Sequence, residues 1–105
     1  MPTNLDADLI SGNKVRFEWD GGSDNLWFCV ETGTSQNDVM ATANSWQTWG
    51  CGTTAESLEV PIVASGQTGG LVCNTTYFWR VFARGTFTNG ASAIAQVHTG
   101  ACPAP

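Results

Sequence analysis

Four cysteines and one histidine are the residues of this sequence best suited to form bonds beyond the peptide chain: Cys29, Cys51, Cys73, Cys102 and His98. An even number of cysteines in a short, lysine-poor chain is typical of disulfide-bonded proteins from oxidising compartments. Structural zinc sites bring their ligands in close pairs, whereas successive cysteines here lie 22, 22 and 29 residues apart. Two disulfides are therefore favoured over free thiols or a metal site, and this reasoning leaves all three pairings open.

Other side chains that could support catalysis are not spaced for it. A nucleophilic triad would need His98 beside a serine and an orienting carboxylate, but its place near the end of a strand favours solvent exposure. Glu18 and Asp20 share one strand face, whereas a glycosidase pair must face each other across a cleft. Asp6 and Asp8 could offer oxygens to Ca²⁺, but no D-x-D-x-D-G loop is present, which favours a solvated strand end. We expect no enzyme activity, no cofactor and no metal.

Two short motifs lie in predicted turns. The glycine run GQTGG at residues 66–70 lacks the lysine and the following helix of a phosphate-binding loop. The tripeptide Asn74-Thr75-Thr76 has the pattern of an N-glycosylation acceptor, which has a meaning only in a eukaryotic secretory pathway.

Composition and charge exclude several classes of partner. With a net charge of −5 and only four basic residues, the chain could neutralise few phosphates of a nucleic acid or of an anionic membrane surface. No stretch approaches the roughly 18 apolar residues of a membrane-spanning helix. Hydrophobic residues make up 42% of 105 residues, including five Trp and five Phe, which is enough for one domain with a packed core.

The elements that must position these residues are short strands, because apolar residues alternate with polar ones and no helical spacing recurs. The clearest strands are at 15–19 and 77–84, and further strands are expected at 4–10, 26–32, 45–50, 58–62 and 91–99. We expect Pro61 and the glycine run to end the strand at 58–62, and Asn89-Gly90 to form a hairpin turn. Seven strands without crossover helices predict antiparallel pairing in two stacked sheets, with a small closed barrel as the alternative.

The stretch from Leu71 to Ala83, LVCNTTYFWRVFA, resembles a corner and the strand after it in fibronectin type III domains. That family tends to have a Leu six residues before a Tyr and a Thr two before it, matched here by Leu71, Thr75 and Tyr77. Trp19 resembles the family's Trp on the second strand, and the closing VHTG resembles its last strand. Residues 27–52 are similar to modules of bacterial secreted proteins. Cys73 departs from the family, where many relatives carry a polar residue or Pro.

The resemblance implies an all-β, seven-stranded antiparallel immunoglobulin-like sandwich over residues 1–102, with the start of a Pro-rich linker at 103–105. In such a sandwich the Tyr77 hydroxyl is expected to cap the backbone a few residues upstream. Trp19 and Trp79 are expected to face each other between the sheets. The same topology brings Cys29 beside Cys51 and Cys73 beside Cys102, because each pair lies symmetrically about a turn.

Aromatic residues on the outside of one sheet are the candidate binding residues. Trp27, Phe78 and Phe82 are expected to point away from the core, with Trp46 or Trp49 nearby. Exposed apolar patches often mark a binding surface. The competing interpretation is mutual packing on the sheet, in which Arg80 stacks between the two phenyl rings.

These features predict a non-catalytic module that acts as a spacer and protein-interaction unit of a larger secreted or cell-surface protein. Its partners would be neighbouring domains of the same chain or another protein, with no nucleic acid and no membrane insertion. The alternative is a carbohydrate-binding module in which Trp27, Trp46 and Trp49 stack against a polysaccharide.

Overall fold

The computed structural model describes residues 3–10, 13–21, 25–34, 47–85 and 89–102. These residues form nine strands: β1 (Thr3–Ile10), β2 (Lys14–Asp20), β3 (Asn25–Gly33), β4 (Gln47–Thr53), β5 (Ser57–Val63), β6 (Leu71–Val72), β7 (Thr76–Gly85), β8 (Asn89–Ala91) and β9 (Ala95–His98). This part of the chain contains no helix with the length and apolarity needed to span a membrane.

The strands form two sheets that pack face to face. The first sheet has the order β1-β2-β5-β6, and the second has the order β4-β3-β7-β8, with β9 also paired to β7. The predicted all-β sandwich is confirmed. One pairing differs from the expected antiparallel pattern, because β6 runs parallel to β5 over two residues. The loop at 64–70 returns the chain beside β5, and Gly70 lies so close to the Pro61 carbonyl oxygen that a Cβ would not fit there.

Alternation along β2 and β7 builds the core. Val15, Phe17 and Trp19 point inward from the first sheet, and Tyr77, Trp79, Val81 and Ala83 point inward from the second, all of them buried. Removing each large apolar side chain from water stabilises the fold by about 1.5–3 kcal/mol.

Trp19 and Trp79, expected to face each other across the sandwich, both lie in the core between the sheets. Each makes ring contact with a phenylalanine of the opposite sheet, with ring centroids 4.6 Å apart for Phe17 and Trp79 and 5.5 Å apart for Trp19 and Phe28. A phenyl ring thus fills the space across from each indole, as the close packing of a protein core requires.

The corner before β7 has the arrangement that the sequence predicts. The Tyr77 hydroxyl accepts a hydrogen bond from the Val72 backbone N–H at 2.9 Å, while the ring is buried. Both predicted disulfides, Cys29–Cys51 and Cys73–Cys102, are present.

The number of strands differs from expectation, and so do the positions of Pro61 and of Asn89-Gly90. The described residues form nine strands where seven were predicted, because the short β6 is separate and the last strand is divided into β8 and β9. The division falls at Ser92, whose hydroxyl accepts a hydrogen bond from the Val81 N–H at 2.9 Å and donates one to the Ala93 carbonyl at 2.8 Å. The Ser92 hydroxyl thus takes the place of a backbone carbonyl as the acceptor for the Val81 N–H, and the regular backbone pairing of β8 with β7 stops there.

Pro61 does not end its strand but lies within β5, opposite Lys14. The Ile62 N–H donates to the Asn13 carbonyl on the side of β5 that faces β2. Because backbone groups of neighbouring residues point to opposite sides of a strand, the nitrogen of Pro61 points away from β2, and its missing N–H does not interrupt the pairing with β2. The predicted turn at Asn89-Gly90 is also wrong: Asn89 pairs with Arg84 and Gly90 with Ala83, so both residues belong to β8.

Candidate functional site

The outward side chains of β3 and β7 form one continuous surface on the second sheet. The register places Glu31 opposite Arg80 and Cys29 opposite Phe82. Because neighbours along a strand alternate sides, these residues lie on the face opposite the core. We call this surface the outer aromatic face and define it by Trp27, Glu31, Phe78, Arg80 and Phe82.

Trp27 and Phe82 make ring contact on this face. Their centroids are 6.0 Å apart and their planes are inclined at 48°. Phe82 lies directly opposite Cys29, so Trp27 is its diagonal neighbour, which large aromatic side chains can reach. Both rings are half-buried, so each keeps part of its surface open to a partner.

Arg80 separates this aromatic pair from Phe78. The Arg80 Nε donates to a Glu31 carboxylate oxygen at 2.7 Å, and the two side chains retain only 17% and 8% of their exposure. Arg80 therefore forms an ion pair across the strands, where the sequence suggested stacking between two phenyl rings. A charge pair so well shielded is destabilising to break, because the remaining charge would lack both water and a partner.

The Cys29–Cys51 disulfide borders this face at the edge strand β4. Between the pairs Phe28–Thr53 and Val30–Trp49 the register shifts, so that β4 carries extra residues there. Gly50 and Gly52 on either side of Cys51 have φ of +62° and +97°, a region that favours glycine. The disulfide therefore ties an irregular part of β4 to the regular strand β3.

Trp49 does not join Trp27 on the outer aromatic face. It pairs with the inward-facing Val30, packs against the core and donates from its indole N–H to the Thr32 hydroxyl at 2.8 Å. The extra residues of β4 lie after Trp49, so its orientation follows the core-facing side of Val30. Trp46, the other indole predicted near this surface, lies outside the described residues.

Three carboxylates meet on the outer face of the first sheet. Asp6 pairs with Glu18 across β1 and β2, and the oxygens of Asp6, Asp8 and Glu18 lie within 4.8 Å of one another. The hydrogen bond between the Asp6 and Asp8 side chains, together with the negative charge of Asp6, raises the pKa of Asp8. Asp6 and Asp8 are exposed, whereas Glu18 is half-buried.

His98 is exposed at the end of β9, where its Nδ1 accepts a hydrogen bond from the Gly100 N–H at 3.1 Å. Its neighbour across the strands is Thr76. The His98 ring thus accepts a hydrogen bond from the backbone two residues further along the chain.

A shallow groove of about 430 Å³ lies at the open edge between the sheets. The start of β1 supplies Leu5, and the segment between β8 and β9 supplies Ala93, Ile94 and Ala95. Sequence reasoning missed this groove because it follows from the interruption of the last strand at Ser92. The signal in the sequence that could have indicated the interruption is Ser92, a polar residue that lies among Ala91, Ala93 and Ile94.

Sequence reasoning also missed the shielded Arg80–Glu31 pair. Arg80 is expected from the sequence to stack between two phenyl rings, whereas its direct opposition to Glu31 depends on the register of β3 against β7. That register is fixed by the inward residues of both strands, which no local pattern can reveal.

Comparison with family models gives no match, and comparison with curated protein sequences gives none either. Solved structures are similar to the chain over nearly its whole length. The fn3 domain of the human collagen alpha-1(XX) chain is 13% identical with a TM-score of 0.70, covering 99% of this chain and 88% of that one. An fn3 domain of human contactin 1 is 15% identical with a TM-score of 0.70, covering 99% and 80%.

A bacterial structure is similar as well. An Fn3-like protein from Clostridium thermocellum is 23% identical with a TM-score of 0.62, covering 90% of this chain and 86% of that one. At such low identities the likeness establishes a shared architecture and leaves activity to be argued from the residues.

Proposed function

We propose that this chain, which has the fibronectin type III fold, is a non-catalytic module that acts as a spacer and protein-interaction unit of a larger secreted or cell-surface protein. The domain would comprise residues 1–102, with 103–105 as the start of a Pro-rich linker. The observation that carries the proposal is the outer aromatic face, where the ring pair of Trp27 and Phe82 remains half-open on a disulfide-braced sandwich.

The spacing role follows from where the first and last strands place the chain ends. Thr3 lies at one end of β1, whereas Gly100 lies beside Leu9 near the other end of β1. A Cβ atom added to Gly100 would lie 3.2 Å from the Cδ1 atom of Leu9. Six residues of extended strand separate these positions, which corresponds to about 20 Å. Segments joined to the two ends would therefore be held apart by a sandwich that does not shorten.

The extracellular setting is supported by the two disulfides. Each closes a loop of more than 20 residues, with separations of 22 and 29. Disulfides of this kind persist in oxidising compartments and are rare where thiols are kept reduced.

The interaction role is supported by the chemistry of the outer aromatic face. Aromatic rings around a shielded arginine are the residue types that protein interfaces favour. A carbohydrate platform of Trp27, Trp46 and Trp49 is supported less well, because Trp49 packs against the core and binds Thr32.

Two experiments test these roles. A photoreactive phenylalanine analogue in place of Trp27 should crosslink the secreted protein to a neighbouring domain or protein, whereas the same analogue in place of Ser57, exposed on β5, should not. Equal crosslinking at both positions would remove the outer aromatic face as the interaction site. A fluorescence change of tryptophan on addition of a soluble polysaccharide, lost in Trp27→Ala, would favour the carbohydrate alternative instead.

For spacing, dyes at residues 3 and 101 should report one narrow distance distribution in the folded, oxidised protein. A broad distribution under native conditions would contradict a rigid spacer.

A further inference from the structure

The corner between β6 and β7 carries the only Asn-X-Thr or Asn-X-Ser pattern in the 105 residues, at Asn74, Thr75 and Thr76. Asn74 and Thr76 are both exposed. We propose that Asn74 is an acceptor for N-linked glycosylation when the chain passes through a eukaryotic secretory pathway. The proposal rests on the secreted setting proposed above.

The chemistry is a transfer from an oligosaccharide linked to a lipid pyrophosphate. A bond forms between the Asn74 side-chain nitrogen and the anomeric carbon of the first sugar, while the bond from that carbon to the phosphate oxygen breaks. The nitrogen loses one of its two protons, and this proton balances the additional negative charge of the departing lipid pyrophosphate. Nothing is oxidised or reduced.

The side chains required for this transfer are not used to hold the corner. Thr75 donates from its hydroxyl to the Cys73 carbonyl at 3.0 Å, and Tyr77 caps Val72. Asn74 itself has a φ of +52°, a conformation that asparagine tolerates better than other side chains. A glycan on its exposed amide would extend into solvent without displacing any of these contacts.

The backbone of the same three residues is, by contrast, held firmly in the folded protein. Asn74 donates to the Gly100 carbonyl, Thr75 donates to the Thr99 hydroxyl at 3.1 Å, and the Thr99 N–H donates to the Thr75 carbonyl at 3.0 Å. The Cys73–Cys102 disulfide closes over this contact. A transferase must hold several consecutive residues of its acceptor, so modification has to precede the docking of residues 99–100.

The order of events makes the proposal specific to this fold. Formation of the Cys73–Cys102 bond competes with glycan transfer, because it fixes the partner strand against the acceptor. Cys102→Ser removes this disulfide but leaves the amino-acid sequence of residues 73–76 unchanged. It should therefore increase the fraction of chains that carry a glycan.

The test is cell-free translation of the chain into endoplasmic-reticulum microsomes behind a leader from another protein, which needs no folded product. We expect a mass increase that a peptide:N-glycosidase removes, leaving an aspartate in place of Asn74. The increase should be lost in Asn74→Gln and in Thr76→Val, should persist in Thr76→Ser, and should be larger in Cys102→Ser. Asn44, followed by Ser45 and Trp46, provides an internal asparagine that should stay unmodified.

An unmodified chain in both the natural sequence and Cys102→Ser would overturn the proposal, as would a mass increase that survives Thr76→Val. A glycan seen only in Cys102→Ser would support Asn74 as the acceptor and the competition with folding. Because the leader is foreign, failure here leaves the proposed function untouched. Reduced cysteines in the protein from its own source would count against the secreted setting instead.

Discussion

On the first sheet, outward side chains of β2 and β5 meet as exposed ion pairs. Lys14 and Arg16 lie 3.8 Å and 3.4 Å from Glu59, and all three side chains keep between 43% and 47% of their exposure. On the second sheet, Arg80 and Glu31 meet at 2.7 Å with 17% and 8% exposure. All three ion pairs join opposite charges on the outward side of neighbouring strands, yet water reaches only the two on the first sheet.

An outward position in a strand is therefore not the same as a solvated position. The acidic and basic residues of the first sheet are screened by water and salt, so their attraction contributes little to folding. On the second sheet, Phe78 and Phe82 flank Arg80 on the same side of β7, and the ion pair is largely withdrawn from water. The following predictions probe this contrast.

The largest effect is expected from removing Arg80. Arg80→Ala leaves the Glu31 carboxylate shielded and unpaired, which should lower the free energy of unfolding by about 3–5 kcal/mol. The matched substitution Arg16→Ala, at an exposed pair, should cost about 0–1 kcal/mol. Urea denaturation followed by tryptophan fluorescence measures both.

Replacing both members by Met separates charge burial from lost packing. The double variant Glu31→Met/Arg80→Met should recover most of the stability lost in Arg80→Ala, because no buried charge remains. Equal losses for Arg80→Ala and Arg16→Ala would contradict the contrast between the two faces.

A somewhat smaller effect is expected at the edge of the second sheet. Cys29→Ala/Cys51→Ala removes the link between β3 and the irregular part of β4, and should lower the free energy of unfolding by about 3 kcal/mol in the chain-entropy account. Amide hydrogen exchange should accelerate in β4 more than in β5. If exchange rose equally in both sheets, the disulfide would be a global brace and not a local one.

A third effect concerns the ring pair. A double-mutant cycle of Trp27→Leu and Phe82→Leu should give a coupling energy of about 0.5–1.5 kcal/mol, because the aromatic contact is lost with either ring. The cycle of Trp27→Leu with Phe78→Leu is the control and should show additive effects. Coupling of the same size in both cycles would mean that Phe78 belongs to the same cluster.

The smallest effect on the free energy of unfolding is expected on the first sheet, from protonation of Asp8. Since Asp6 raises the pKa of Asp8 in the folded state, the protonated form of Asp8 favours folding. This contribution is present at low pH and is lost as pH rises through the raised pKa of Asp8. Carboxyl NMR should show a raised Asp8 midpoint that falls in Asp6→Asn and at high salt; an unchanged midpoint in Asp6→Asn would contradict this.

Much of the core could be predicted from alternation alone. Phe17 in β2 and Trp79 in β7 are inward because their strands are regular, so parity along the chain fixes the face. Tyr77 could be placed with its hydroxyl on the upstream backbone because that contact lies within five residues.

The candidate site was harder to predict because strand irregularities and register decide it. Two glycines with positive φ flank Cys51, and the inward position of Trp49 depends on where those extra residues fall. Asn89-Gly90 has the composition of a tight turn, yet pairing with Arg84 and Ala83 determines its place in β8. Local preference lost to long-range pairing in these cases.

The irregular edges of the second sheet have a consequence for crowded surroundings. A long, regular border strand invites a neighbouring molecule to add its own strand, which begins aggregation. Here one border is distorted at Gly50–Gly52, and the other is broken where the Ser92 hydroxyl takes the place of a backbone partner. Copies of this protein placed side by side at high density would therefore find no straight ladder to extend at these two borders of the second sheet.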